Sequence, residues 1–170
     1  MTILAITGDP RIGKSTVVTH VAEELKKRSL KVGGIISKEV RNNNTRTGFE
    51  FVDLTTNERM TLASTVGNGP RLGRYVVNLD GCNFASKRLI SAIENSDVII
   101  CDELGPMEFK SKEFIACTKD LLETDKTVII VVHKRLQHPI IDQFKKRASF
   151  IINVDLQNRD RAHHLLLDRL

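Results

Sequence analysis

The chain has 170 residues, 41% hydrophobic and 28% charged, with a formal net charge of +5. That length suits one domain with a proper core, and the balance is that of a globular protein rather than a disordered or low-complexity one. No apolar run approaches the ~20 residues of a membrane span. Met1-Thr2 leads straight into an apolar run with neither a basic flank nor a cleavage-like segment, so the expectation is a cytoplasmic protein with no membrane partner. The three cysteines, Cys82, Cys101 and Cys117, form no C-x-x-C pair and suggest neither a disulfide framework nor a zinc site. The basic clusters Lys26-Lys27-Arg28 and Lys145-Lys146-Arg147 read as solvated helix ends. With one Tyr and no Trp for base stacking, nucleic acid is not an expected partner.

In chain order, Ile3 to Ile6 reads as a buried strand. Gly8-Asp9-Pro10-Arg11-Ile12-Gly13-Lys14-Ser15 follows, with the pattern G-x-x-x-x-G-K-S. A helix pattern comes next, with Val18, Val21, Ala22 and Leu25 on one face. Strand, glycine loop and helix in this order make a phosphate cradle. The glycines let backbone N–H groups turn inward, and the helix N-terminus adds a favourable dipole. Lys14 is expected to reach the β- and γ-phosphates and Ser15 to ligate Mg²⁺, with Thr16 completing the binding segment. Pro10 supplies no backbone donor.

Val32 to Ser37 is a second strand, introduced by Gly33-Gly34. Arg41 to Thr47 reads as a polar, turn-rich loop. Phe49 to Val52 and Met60 to Thr65 look like two short strands around Thr55-Thr56-Asn57, a small antiparallel hairpin inserted at about 48–66. Val66 to Gly73 is expected to be an exposed loop, and Tyr75 to Leu79 another short strand. Ala85, Leu89, Ala92 and Ile93 mark a helix, Val98 to Cys101 a buried strand, and Phe114, Cys117, Thr118, Leu121 and Leu122 the next helix. Val128 to Val132 is a β-branched strand. Ile140 to Lys146 is a short helix, Phe150 to Val154 a last strand, and Arg161 to Leu170 a terminal helix. Near-continuous apolar strands between helices predict a single α/β domain over 1–170, with a mostly parallel sheet covered on both faces.

A second constellation is Val98-Ile99-Ile100-Cys101-Asp102-Glu103, four apolar residues followed by two acids, the form of a Walker B strand. Asp102 at the strand end is placed to hold Mg²⁺. Glu103, directly after it, can orient or deprotonate an attacking water. The predicted catalytic pair is therefore Lys14 and Glu103. The nucleotide-binding set is Gly8 to Thr16 with Asp102, Glu103 and Gly105, and the metal ligands are Ser15 and Asp102.

Asp102-Glu103-Leu104-Gly105-Pro106-Met107-Glu108 resembles the D/E-E-hydrophobic-G-x-M-E segment of the nucleoside-triphosphatase family of the THEP type, which includes the cancer-related nucleoside-triphosphatase. Ser37-Lys38-Glu39-Val40-Arg41 to Gly48-Phe49 is similar to that family's T-x-E-V-R…G-F stretch. Gly73-Arg74-Tyr75-Val76-Val77-Asn78 resembles its G-x-Y-x-V-N strand, and Asn158-Arg159-Asp160 its N-R-D. The similarity runs over essentially the whole chain in the right order. It implies a P-loop fold of the RecA or nucleotide-kinase kind. It also implies Mg²⁺-dependent hydrolysis of ATP, GTP and other nucleoside triphosphates to diphosphate and phosphate, with loose base selectivity. Arg11 departs from the family, which often has glycine there.

A further cation at the γ-phosphate is expected from Arg71, Arg74, Lys134 or Arg135. His133 is a candidate sensor of the γ-phosphate or the attacking water, and Glu108 the reserve carboxylate. His138, before Pro139, reads as turn chemistry. Asn158 and Arg159 either edge a base pocket or open the terminal helix. The alternatives to hydrolysis are a nucleotide or small-molecule kinase and a non-enzymatic nucleotide-binding adapter. Against a kinase, Glu103 suits water activation and no arginine-rich acceptor pocket stands out along the chain. A GTPase is disfavoured because N-K-x-D is missing; the nearest analogue, His133-Lys134-Arg135-Leu136, lacks both Asn and Asp. ATPases with a glutamate after the Walker B aspartate insert a strand between the two motif strands. Val128 to Val132 is therefore expected between Ile3 to Ile6 and Val98 to Cys101.

Overall fold

The computed structural model describes residues 1–170. In chain order the elements are β1 (Thr2–Gly8), α1 (Lys14–Lys27), β2 (Val32–Asn42), β3 (Thr45–Asp53), β4 (Arg59–Ser64), β5 (Arg71–Leu72), β6 (Tyr75–Val77), α2 (Leu79–Asn95) and β7 (Val98–Leu104). A 3-10 turn (Glu108–Lys110) follows, then α3 (Lys112–Glu123), β8 (Thr127–Val132), α4 (Pro139–Arg147), β9 (Phe150–Val154) and α5 (Ala162–Leu167). All nine strands form one sheet, in the order β5-β6-β4-β3-β2-β7-β8-β1-β9.

Side-chain alternation sets the layers. On β1, Ile3 and Ala5 point to one face while Leu4 and Ile6 point to the other. β8 does the same, with Val128, Ile130 and Val132 opposite Ile129 and Val131. The first face is covered by α2, α3 and α4 through residues such as Leu89, Phe114 and Phe144. The second is covered by α1 and α5 through Val18, Leu25 and Leu166. A strand buried on both sides has no polar face to show, which is why these runs read as continuously apolar.

The central strands β2, β7, β8, β1 and β9 are parallel neighbours. β8 lies between β1 and β7, as expected for a glutamate-bearing Walker B strand. Helix starts follow local chemistry. The Asn78 side chain accepts from the Asp80 N–H at the head of α2, and Ser111 Oγ from the Phe114 N–H at α3. His138 Nδ1 accepts from the Ile140 N–H, with Pro139 at the first turn of α4, so its turn role holds.

The antiparallel part is wider than a hairpin at 48–66. β2 runs on to Asn42 and pairs with β3 from Ile35 to Asn42, and β4, β6 and β5 add to that edge. The polar segment 41–47 is therefore mostly strand. Its turn is Asn43-Asn44, both with positive φ of 45° and 61°, the left-handed pair that joins twisted strands tightly. The segment 66–73 contains the two-residue strand β5, and the strand begun at Tyr75 stops at Val77 because Asn78 caps the next helix. α5 starts only at Ala162: Asn158 does not cap it but accepts from the Asp155 N–H and donates to the Asn153 carbonyl. No helix is long and apolar enough to cross a membrane.

β2 and β7 approach unusually closely at Gly34, where φ is +106° and a Cβ would lie 2.0 Å from the Ile100 carbonyl oxygen. Gly34→Ala therefore forces either strained backbone or separation of the two strands. A stability loss of about 3 kcal/mol is expected, read from the urea midpoint. An unchanged midpoint would mean that the strand pair adjusts at no cost.

Candidate active site

The carboxyl ends of β1, β7 and β8 meet at one edge of the sheet, where folds of this kind bind ligands. The phosphate loop leaves β1 there. Gly8 has φ +153°, and a Cβ on it would lie 2.6 Å from the Val154 carbonyl oxygen, so the loop can turn here only without a side chain. Gly13, in the left-handed region, caps α1. Arg11 is left-handed too, at φ 64°, the conformation that accounts for glycine in the family pattern at this position. The Lys14 ammonium donates to the carbonyls of Gly8 and Asp9, both at 3.1 Å, so its side chain arches back over the loop.

Asp102, at the end of β7, is 1% exposed. Burial pushes its carboxyl up to about 7, against the pull of the adjacent Ser15 hydroxyl, with the Glu103 charge adding to the rise. Its Oδ2 is buried without a hydrogen-bond partner. An orphaned carboxylate oxygen beside a hydroxyl, next to a phosphate cradle, is a pair of hard oxygen donors and fits Mg²⁺. No cluster of three or more His, Cys, Asp or Glu side chains offers a competing metal site, and the three cysteines are buried and free.

The carboxylates of Glu103 and Glu108 flank Gly105. A Cβ on Gly105 would lie 2.8 Å from Glu103 Oε1 and 2.8 Å from Glu108 Oε2. Gly105 therefore leaves room for the two carboxylates, which converge where a side chain would sit, and does not line the cleft itself. Glu108 is buried, and desolvation together with the Glu103 charge raises its carboxyl well above the ordinary range. Leu104 hydrogen-bonds the His133 N–H through its carbonyl, which fastens the end of β7 to the loop after β8.

These groups line one cleft of about 1080 Å³. Gly8, Pro10, Arg11, Gly13, Lys14, Ser15, Thr16, Asp102 and Glu103 all contribute to its wall. Asp9 and Ile12 stand outside it, although Asp9 organises the rim: its carboxylate accepts from Lys134 Nζ at 2.9 Å and lies 3.8 Å from Arg135. That Lys134 hydrogen bond, with the nearby cations, holds the Asp9 carboxyl below its usual value. Lys134 and Arg135 thus border the loop, whereas Arg71 is not part of the cleft. The His133 ring lines the cleft, with Nδ1 accepting from the Arg135 and Leu136 N–H groups. Asn158 and Arg159 do not reach it.

Of the opposite wall, sequence reasoning named only Arg74, which does line the cleft. β2 pairs with β7 only as far as Ile35 and Cys101; beyond that point Ser37 meets Asp102 through its backbone, and β2 continues along the cleft with Glu39 and Arg41. Arg46, Phe49, Leu72, Arg74 and Tyr75 follow from the antiparallel strands. For the others, the hint in the chain was that they fall in or beside the stretches Ser37 to Phe49 and Gly73 to Asn78.

The family model described as NTPase matches residues 3–167. The nucleoside-triphosphatase THEP1 of Methanosarcina acetivorans is 38% identical over 167 residues, covering 98% of this chain and 95% of that protein. The protein of the same name from Methanothermobacter thermautotrophicus is 39% identical over 169 residues, covering 98% and 95%. Among solved structures, THEP1 from Aquifex aeolicus superposes with a TM-score of 0.87 at 27% identity, covering 99% of both chains. The solution structure of a human cancer-related nucleoside triphosphatase gives 0.79 at 29% identity, covering 99% of this chain and 95% of that one. A match from the first strand to the last helix, on a P-loop fold with both acids at the end of β7, makes this chain a member of the NTPase family, an enzyme of the nucleoside-triphosphatase class.

Proposed function

We propose that the chain, acting as one domain over residues 1–170, hydrolyses nucleoside triphosphates to diphosphate and phosphate with Mg²⁺ and with loose base selectivity. The observation that carries this reading is the position of Glu103. It directly follows the buried Asp102, and it lines the same cleft as Lys14 and Ser15. The strand β8 between β1 and β7 favours water over a kinase acceptor.

In this reading the loop amides from Gly8 to Ser15 hold the phosphates, and Lys14 exchanges its two carbonyl contacts for β- and γ-phosphate oxygens. Ser15 and Asp102 hold Mg²⁺, which neutralises charge developing on the phosphates. Glu103 accepts the proton of the attacking water. Burial of Asp102 strengthens its electrostatic contact with Ser15. Burial and the neighbouring Glu103 charge push the Glu108 carboxyl well above its ordinary range, which favours Glu103 over Glu108 as the base.

Glu103→Gln keeps shape and loses the basic carboxylate. Phosphate release at saturating Mg²⁺-ATP should fall by roughly 10²–10⁴-fold, with nucleotide affinity little changed in a direct titration. Release at the parent rate would assign the water to another group. Lys14→Ala should lose both hydrolysis and triphosphate affinity, and Asp102→Asn should raise the Mg²⁺ requirement as well as slow turnover.

No N-K-x-D segment reads guanine, and the one Phe and one Tyr of the cleft, Phe49 and Tyr75, are both engaged by arginines. ATP and GTP should therefore turn over within about tenfold of one another, a gap of roughly 1.4 kcal/mol. A thousandfold preference in kcat/KM would reveal a dedicated base pocket.

A further inference from the structure

The wall of the cleft opposite the phosphate loop is built from residues far apart in the chain. Arg46 stacks on Phe49, with its guanidinium carbon 5.1 Å from the ring centre, and lies 5.7 Å from the centre of Tyr75. Arg74 lies 5.1 Å from the centre of Tyr75. Arg46 Nε and Arg74 Nη2 both donate to the Tyr75 hydroxyl, each at 2.9 Å. Tyr75 is 7% exposed, so the ring is a fixed platform rather than a surface side chain. Burial alone would raise its phenol, yet the two guanidinium donors outweigh it and hold the phenol below its ordinary value.

The charges on this wall do not cancel. Glu39 is the one carboxylate on it, and it accepts from both Arg41 and Arg46. Arg41 spends its remaining contact on the Asn44 carbonyl. Arg46 uses Nε and Nη1, and Arg74 uses Nη2 for Tyr75 and the Arg46 carbonyl. Nη2 of Arg46, and Nε and Nη1 of Arg74, are left without a protein partner while both side chains line the cleft. Arginines serving only to fasten strands would spend their donors on the protein. Two oriented forks with spare N–H groups instead match a tetrahedral anion with three oxygens better than a second carboxylate.

We propose that Arg46 and Arg74, held on Phe49 and Tyr75, form a second anion site that binds the phosphate group of a small phosphate monoester beside the nucleoside triphosphate. Arg46, on β3, and Arg74, just before β6, come from the part of the sheet beyond β2, whereas the phosphate loop leaves β1 on the other side of β7 and β8. Its occupant therefore sits next to the bound nucleotide rather than in its place. The proposal rests on the reading above only in seating the triphosphate at the phosphate loop.

The test is a calorimetric titration of inorganic phosphate into protein saturated with Mg²⁺ and the β,γ-imido analogue of ATP, which fills the phosphate loop without turning over. One saturable phosphate site is expected. Arg46→Gln and, separately, Arg74→Gln should each weaken it about tenfold or more, as loss of a charge-assisted hydrogen bond requires. Affinity for the analogue should stay within about twofold. Because Arg74 is exposed, its variant keeps the test sound should Arg46→Gln disturb the strands. Titration of inorganic phosphate into Lys14→Ala without nucleotide, beside Lys14→Ala carrying Arg74→Gln, reads this wall independently of nucleotide binding, and the Arg74-dependent phosphate site should persist there. Absence of a second site, or a site unaffected by both arginine variants, overturns the proposal. So does a loss of analogue affinity of tenfold or more in those variants, which would give the arginines to the triphosphate itself. Acetate binding as tightly as phosphate would overturn the assignment to a phosphate group.

Discussion

Burial of the Asp102 carboxylate against Ser15 is the contact on which the arrangement of the site depends. It joins the end of β7 to the head of α1 across the edge of the sheet, and β8 fills the gap between the two motif strands. A carboxylate taken out of water is tolerable only where a hydroxyl, an ammonium or a cation compensates it. The tools for that compensation, Ser15 and Lys14, come from the loop that the ligand itself must use. Stability and function are therefore coupled at this point, and Oδ2 of Asp102 remains buried without a hydrogen-bond partner.

The surrounding framework keeps that contact in place without touching it. Gly8 lets β1 turn against the Val154 carbonyl, and Gly34 lets β2 lie close enough to β7 for Ser37 to meet Asp102. The His133 N–H holds the Leu104 carbonyl, and Lys134 holds Asp9, so the loops after β1, β7 and β8 are fastened to one another. Gly105 leaves room for the carboxylates of Glu103 and Glu108 to converge. Glu103 lines the cleft, while burial and the Glu103 charge raise the carboxyl of its neighbour Glu108 well above the ordinary range.

The antiparallel half of the sheet gives the cleft its second wall. β2 belongs to both halves: it runs parallel to β7 until Cys101 and then continues as one arm of a hairpin with β3. The divergence opens space at the point where Asp102 and Glu103 begin. One long strand thereby links the phosphate-binding edge to Arg46, Arg74 and Tyr75.

The core strands and helices were legible in the sequence because burial on both faces writes itself as apolar runs and helical periodicity, both local signals. The phosphate loop and Asp102-Glu103 stood out in the sequence because a phosphate cradle needs particular residue types at fixed spacing and paired acids ending an apolar strand are rare, and the fold brings both to one cleft. The hairpin turn at Asn43-Asn44 was misread, since a polar run looks like a loop whether or not its backbone pairs. Asn158 likewise serves a loop and not a helix start. Residues 46 and 74 could not be joined from the sequence. Their meeting on Tyr75 depends on the order β5-β6-β4-β3-β2, which is fixed by long-range strand pairing. The sequence by itself determined the chemistry of the phosphate-binding edge, because that chemistry is local. Only the tertiary structure decided what faces it, because hydrogen bonds between distant strands leave no periodic trace along the chain.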